Sequence, residues 1–406
     1  MKLHPDARVI HITECLAAGT LSFLEQATRE LAASGVRQVL VYSRRPDTPE
    51  DLESRFDHRV WLVEVPGPGR GLGAYVRALR TVMTQELGPH PGQALVHLHS
   101  SKAGFAGRLA LLGLARRPRV LYSPHGLSYL NRRSPLAWRL FRALEWMAAR
   151  VDCTLVGCGR SEADELTRLS GRPAEVLENA VHGSFLQLTP ARPAGQPPLV
   201  LAMGRACYQK APEAFAALAV QFRIAEIQAR FVWVGAGEAA AEARLRAAGV
   251  EITGWVGREE IQALLQQASV FVQTSRWEGM PLSVLQALSA GVPCVVTDVV
   301  GNRDAVRQGI TGFVTQRFDE MLVCVRRLLE DPDLHGRFSE AARRDARRRF
   351  DSEGLRLRLL DLYARTLAPR PAEPLAPAPR RGERGSGRGH RDARLEPTLA
   401  GGQRAA

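Results

Sequence analysis

The chain has 406 residues, 45% of them hydrophobic, and a formal net charge of +13. That length and apolar content suit two or three packed domains and exclude global disorder. No run of 18 apolar residues occurs and no basic-then-apolar leader opens the chain, so the sequence predicts a cytoplasmic protein without a spanning helix.

In chain order, residues 8–13 (RVIHIT), 38–42 (QVLVY), 60–65 (VWLVEV), 94–99 (ALVHLH) and 119–123 (RVLYS) are short apolar runs without clean alternation. Parallel strands covered on both faces have this pattern. Helical segments such as 21–34 and 102–116 lie between them, which predicts a doubly wound α/β domain over 1–187. Residues 188–198 (LTPARPAGQPP) hold four prolines and read as an interdomain linker. The alternation then restarts. Strands are predicted at 199–203, 230–234, 250–253, 270–273 and 293–297. Helices are predicted near 211–220, 238–247, 259–267, 281–290 and 302–308. Helical stretches at 318–348 and 353–367 follow, so 199–350 forms a second α/β domain and 351–367 a closing helix. Residues 368–406 carry eight arginines, four acids and almost no large apolar side chains, and are expected to form a disordered basic tail. That tail has no aromatic residue, and no nucleic-acid partner is expected.

The charge excess is arginine: Lys2, Lys102 and Lys210 are the only lysines. Six scattered cysteines (Cys15, Cys153, Cys158, Cys207, Cys294, Cys324) lack the spacing of a zinc site or a disulfide framework, and read as reduced thiols. Two tandem α/β domains imply a cleft at the carboxyl ends of both sheets, and the chemistry-bearing segments follow strands in both halves. In 199–210 (LVLAMGRACYQK), a strand ends at Gly204 and is followed by Arg205 and Lys210. A guanidinium fork and an ammonium around one loop suit a diphosphate. In 273–290 (QTSRWEGMPLSVLQALSA), Glu278 and Gly279 precede Pro281, which is expected in the first turn of a helix whose free N–H groups favour phosphate. Gln286 lies two turns deeper on the same face. His125 stands in YSPHG after an N-terminal strand. Gly19, in the first strand-to-helix turn, allows close backbone approach to a ligand. No Walker A, HExxH or GxSxG pattern is present.

In order, HSSKAGFAGRLA (99–110), YSPHG (122–126), ENAV (178–181), GRACYQKAPE (204–213), VGAGE (234–238), TGWVG (253–257), EGMPLSVLQALSAGVPCVVTDVVGNRD (278–304) and TGFV (311–314) resemble the landmarks of the GT4 family of glycosyltransferases, especially bacterial enzymes of capsule, exopolysaccharide and O-antigen assembly. The resemblance covers about residues 8–367. It implies the GT-B fold, two Rossmann-like doubly wound parallel-sheet domains facing a central cleft. It also implies retaining transfer from a nucleotide-diphosphate sugar without a metal or other cofactor. Arg205 and Lys210 match the pair that holds the donor diphosphate. Glu278, with the amides of Gly279 and Met280, matches the donor-sugar contact, and Leu282 falls among the donor-binding positions of the same segment. His125 matches the histidine near the reacting carbon, and Trp255, Val256 and Gly257 match the stretch at the base. Gly204 stands at the strand end that opens the diphosphate loop. The departure is Gln286, where the family usually has a second glutamate on the donor ribose. A carboxamide keeps one acceptor and loses the charge, which predicts weakened or altered nucleotide binding.

The acceptor is expected to be a glycan or a polyprenyl-diphosphate-linked glycan. Residues 131–150 (NRRSPLAWRLFRALEWMAAR) interleave arginine with tryptophan and phenylalanine, as a helix on an anionic membrane does, and equally as a surface helix with a basic wet face. A nucleotide-sugar epimerase and a catalytically impaired binding protein share the same architecture and stand as alternatives.

Overall fold

The computed structural model describes residues 3–4, 7–88, 91–115, 117–191 and 195–368. The expected basic tail from 369 onward lies outside them. The N-terminal half alternates β1 (Arg8–Thr13), α1 (Ala18–Ala33), β2 (Arg37–Tyr42), α2 (Leu52–Arg55), β3 (Val60–Glu64), α3 (Leu72–Leu87), β4 (Ala94–His99), α4 (Ser101–Leu111), β5 (Arg119–Ser123), α5 (Pro135–Ala148), β6 (Thr154–Gly157), α6 (Arg160–Ser170), β7 (Glu175–Val176) and α7 (Gly183–Leu186). The C-terminal half continues with β8 (Leu199–Met203), α8 (Pro212–Ile224), β9 (Arg230–Val234), α9 (Ala239–Ala247), β10 (Glu251–Gly254), α10 (Arg258–Gln267), β11 (Ala268–Gln273), α11 (Leu282–Ser289), β12 (Cys294–Thr297), α12 (Asn302–Ala305) and β13 (Gly312–Thr315). It closes with α13 (Phe318–Glu330), α14 (Pro332–Arg349) and α15 (Ser352–Leu367).

All the named strand pairs are parallel. The sheets run β3-β2-β1-β4-β5-β6-β7 and β10-β9-β8-β11-β12-β13. In each, the order reverses at one place, between β1 and β4 and between β8 and β11. Open α/β sheets bind ligands in the crevice at such switch points. The loops after β1, β4, β8 and β11 are therefore where a site belongs, and Arg205 and Glu278 lie in two of them. β4 and β11 are buried at every position, which is why neither reads as alternating.

Three differences from the sequence reading have local causes. The stretch 318–348 is two helices, because the Asp331 side chain accepts from Leu334 N at 2.9 Å and Pro332 opens a new first turn. The helix expected over 102–116 ends at Leu111. Strands β6, β7 and β13 have four residues or fewer, too short for a periodicity to show.

α15 packs against the N-terminal sheet. Leu355, Leu359, Leu360, Leu362 and Tyr363 are buried in one cluster with Val9 of β1 and Leu24 and Leu31 of α1. The Tyr363 hydroxyl reaches His97 Nδ1 at 2.8 Å, tying the last helix to β4.

Candidate active site

The C-terminal side of the site hangs on Gly204, which follows β8 at φ +143°. A Cβ there would lie 3.0 Å from Lys210 Cε, so the glycine leaves room for the lysine to fold back over the strand end. Thr274 Oγ1 donates to the carbonyls of Lys210 and Ala211, fastening that loop to the end of β11. Lys210 Nζ then donates to Glu278 Oε1 at 2.7 Å. Gln273 Nε2 donates to the same oxygen at 2.9 Å and Ser275 Oγ at 2.5 Å. Glu278 is buried, and three donors on one oxygen satisfy its charge. Among the described residues, no donor reaches Oε2.

Arg205 does not share this carboxylate. Its guanidinium pairs with Asp47, in the loop after β2, from the opposite side of the cleft. Lys210 and Glu278, 68 residues apart in sequence, are thus brought into contact, while Arg205 is held apart from them by a partner that sequence reasoning missed.

Gly279 and Met280 form the seam between the domains. A Cβ on Gly279 would stand 2.7 Å from Gly126 N and 2.8 Å from the His125 carbonyl carbon. Asn179 Nδ2 donates to Met280 O at 2.9 Å. Asp304 Oδ2 accepts from Ser161 N and Oγ at 2.9 and 2.6 Å. Pro281 is the N-cap of α11, not a residue of its first turn, and the helix starts at Leu282.

His125 sits at φ +52° on the N-terminal side. Its Nε2 lies 2.9 Å from His99 Nδ1, and its Nδ1 lies 3.2 Å from Cys158 Sγ. His99 Nε2 in turn lies 3.1 Å from His11 Nδ1. Gln38 Nε2 donates to Thr28 O at 2.9 Å, while its Oε1 and His11 Nε2, both buried, have no hydrogen-bond partner among the described residues. The imidazoles of His11, His99 and His125 thus form one connected chain that ends on the Cys158 thiol. Burial lowers the pKa of His11 and His125 to about 4. It holds His97 and His99 well below the ordinary imidazole value. Both ring nitrogens of His125 are engaged, so a ring contact to a sugar would break one of these bonds.

Glu162 fixes the loop that carries His125. Its carboxylate accepts from Gly126 N at 2.7 Å and Cys158 N at 2.8 Å. Full burial pushes its pKa up to about 7, against those two amide bonds. His11, His97 and His99 bring one ligand atom each within 4.8 Å of the others, close enough to share an ion. Five of their six nitrogens already have partners: Tyr363, Ser123, His11, His99 and His125. A dication there would have to break that network in a buried, uncharged pocket.

At the far end, Gln286 and Leu282 line a small cavity with Arg258, His182, Arg29 and Glu25. Val256 packs on the C-terminal core and Gly257 is the N-cap of α10, which leads directly to Arg258. Trp255 is 61% exposed. At Gly19 a Cβ would meet nothing within 4 Å, and the left-handed residue in this turn is Ala18, at φ +47°. The space in front of Gly19 is open.

Two family profiles match the chain: "Glycosyl transferase 4-like domain" over residues 18–180 and "Glycosyl transferases group 1" over residues 197–331. The chain belongs to the group 1 (GT4) glycosyltransferases. The glycosyltransferase is 30% identical to the UDP-Gal:alpha-D-GlcNAc-diphosphoundecaprenol alpha-1,3-galactosyltransferase of Escherichia coli, over 55% of its own length and 63% of that enzyme. Its fold is similar to that of sucrose-phosphate synthase from Thermosynechococcus elongatus, at a TM-score of 0.75 and 18% identity over 88% of this chain and 98% of that one. It is also similar to an Anabaena protein solved with UDP and glucose, at a TM-score of 0.70 and 16% identity over 88% and 100%. The architecture is thus the GT-B fold, with its two switch points facing one another.

Proposed function

We propose that this glycosyltransferase moves a hexose or N-acetylhexosamine, with retention of anomeric configuration, from a nucleotide-diphosphate sugar to a glycan or polyprenyl-diphosphate-linked glycan in surface polysaccharide synthesis. A UDP-sugar is favoured as donor, with GDP-mannose as the other candidate. The observation that carries the reading is the meeting of Lys210 and Glu278 at the β8–β11 switch point, with Arg205 on the same loop. The ammonium suits the donor diphosphate, and the Glu278 oxygen left without a donor suits sugar hydroxyls.

In this reading Arg205 and Lys210 stabilise the charge that grows on the departing diphosphate and do the work of a divalent metal. The diphosphate takes the acceptor's proton on the face from which it leaves. The UDP complex of the Anabaena protein and the lipid-diphosphate acceptor named for the Escherichia coli enzyme support the donor and acceptor classes. No described helix is long and apolar enough to cross a membrane. α5 supports docking on an anionic membrane from the cytoplasmic side instead. Incubation with a panel of UDP- and GDP-sugars and a lipid-linked acceptor, in the presence of EDTA, tests this. A product of hexose or N-acetylhexosamine mass with the donor's anomeric configuration is expected. An inverted product, or turnover abolished by EDTA and restored by Mg²⁺, overturns the mechanism.

A further inference from the structure

Asp47 sits where two guanidinium groups meet. The loop that carries it, after β2, is closed by Arg45 N donating to Thr48 Oγ1 at 3.0 Å and Thr48 N donating to Arg45 O at 3.0 Å. Within that loop Arg45 Nε lies 3.1 Å from Asp47 Oδ1, and Arg45 Nη2 donates to Oδ2 at 3.2 Å. Across the cleft Arg205 Nη2 donates to the same Oδ2. Asp47 therefore has a cation of its own domain and a cation of the other. Arg205 has no other ion-pair partner among the described residues.

From this arrangement we infer that Asp47 is a positioning residue, a resident counter-ion of Arg205 that the donor diphosphate exchanges for itself. The inference rests on the donor-site reading proposed above. A diphosphate on Arg205 would place at least two negative charges beside the Asp47 carboxylate, so the two anions repel and cannot share the guanidinium at full strength. Exchange avoids stranding any charge. Asp47 retains Arg45, and Arg205 gains the diphosphate. When the nucleoside diphosphate leaves, Asp47 recovers Arg205 and the ion pair between the two domains re-forms. The carboxylate thereby lowers affinity for the donor and for the product alike and speeds product departure. It makes the N-terminal loop at 43–48 sensitive to what occupies the C-terminal domain.

Calorimetric titration of the full chain with UDP, GDP and ADP tests this. Asp47→Asn should bind the preferred nucleotide about fivefold more tightly, close to 1 kcal/mol. The donor KM should fall with it, and the acceptor KM should stay unchanged. In an Arg205→Ala background the same substitution should shift the Kd by less than about twofold, because the partner is gone. Unchanged or weaker binding in Asp47→Asn overturns the inference. So does an effect that persists without Arg205, since that would be general repulsion. Should Asp47→Asn fail to fold by its thermal transition, Asp47→Ser is judged by the same outcomes. A wild-type chain that binds none of the three nucleotides overturns the donor-site reading and this inference with it. A wild type that binds, with a variant that does not differ, overturns this inference alone.

Discussion

Lys210 and Glu278 are each other's charge compensation in a pocket that little water reaches. Lys210→Ala should act twice. It removes a cation from the diphosphate, with a loss of transfer rate of about 10²–10³ by the usual cost of one transition-state donor. It also leaves Glu278 buried and unpaired, at a cost on the order of 3 kcal/mol. Initial rates and a denaturant titration measure the two separately, and a rate near wild type would remove Lys210 from the site. Gln286 is a milder case. Its cavity also holds Arg258 and Arg29, so a carboxylate there would have cations to face. Gln286→Glu should lower the donor KM about fivefold by restoring charge-assisted acceptance.

The histidine chain makes a pH prediction at the same scale. His11 and His125 are lowered to about 4, and His97 and His99 well below the ordinary value. Unfolding frees these imidazoles to take protons near pH 6.5. The stability they provide is complete above pH 6.5 and is lost as pH falls from there toward 4. Glu162, raised to about 7, runs the other way between the ordinary glutamate value and 7, but with one proton against four. Between them these five groups should contribute a net uptake of about three protons to the slope of unfolding free energy near pH 5.5. A flat profile between pH 7 and 5 would show that the cluster is not neutral in the folded chain.

α5 is the element whose exposure is hardest to explain as a plain surface helix. Only Glu145 and Ala148 are buried along it. Glu145 is held by Arg108 at 2.7 Å, and the Arg108 guanidinium in turn lies 4.1 Å above the Tyr122 ring. The helix is thus anchored to the core by one buried ion pair. Leu136 is 78% exposed, Leu140 54% and Trp146 46%, with Phe141 and Met147 beside them and Arg132, Arg133, Arg139, Arg142 and Arg150 interspersed. Burying such side chains in lipid gains about 1.5–3 kcal/mol for each one fully covered, and each arginine near an anionic surface adds about 1 kcal/mol. Replacing Leu140 and Trp146 together by serine should abolish flotation with vesicles containing anionic lipid. It should change folding stability by less than about 0.5 kcal/mol, since neither side chain is in the core. Unchanged flotation would return α5 to the role of an ordinary solvent-facing helix.

At the scale of the molecule, the working geometry depends on two backbones passing without side chains between them. Gly126 of the N-terminal half and Gly279 of the C-terminal half meet at the seam, and a Cβ on Gly279 would collide with backbone on the other side. The neighbouring contacts of Asn179 with Met280 and of Ser161 with Asp304 hold the same seam. Gly279→Ala should leave each sheet folded yet keep the halves from closing. A loss of kcat of about 10²-fold is expected, because a shift of about 1 Å at the reacting groups costs that much. A small-angle scattering profile more open than wild type should accompany it.

Much of this was legible along the chain because its causes are local. Buried parallel strands show as unbroken apolar runs. The proline-rich stretch 188–198 reads as a linker, and Gly204 with Arg205 and Lys210 as a strand end that suits anions. Lysine scarcity singled out Lys210. What sequence could not supply was partnership between distant residues. Asp47 is an unremarkable loop acid until tertiary structure sets it against Arg205, 158 residues away. His97 and His99 share a strand face by their i, i+2 spacing, but only the β1–β4 pairing brings His11 to them. Glu162 looks like a helix-surface acid until packing buries it under Gly126. Periodicity and turn chemistry act between neighbours and determined the two sheets and their loops. Charge compensation and burial act between residues that meet only in space, and the tertiary structure alone decided which group neutralises which.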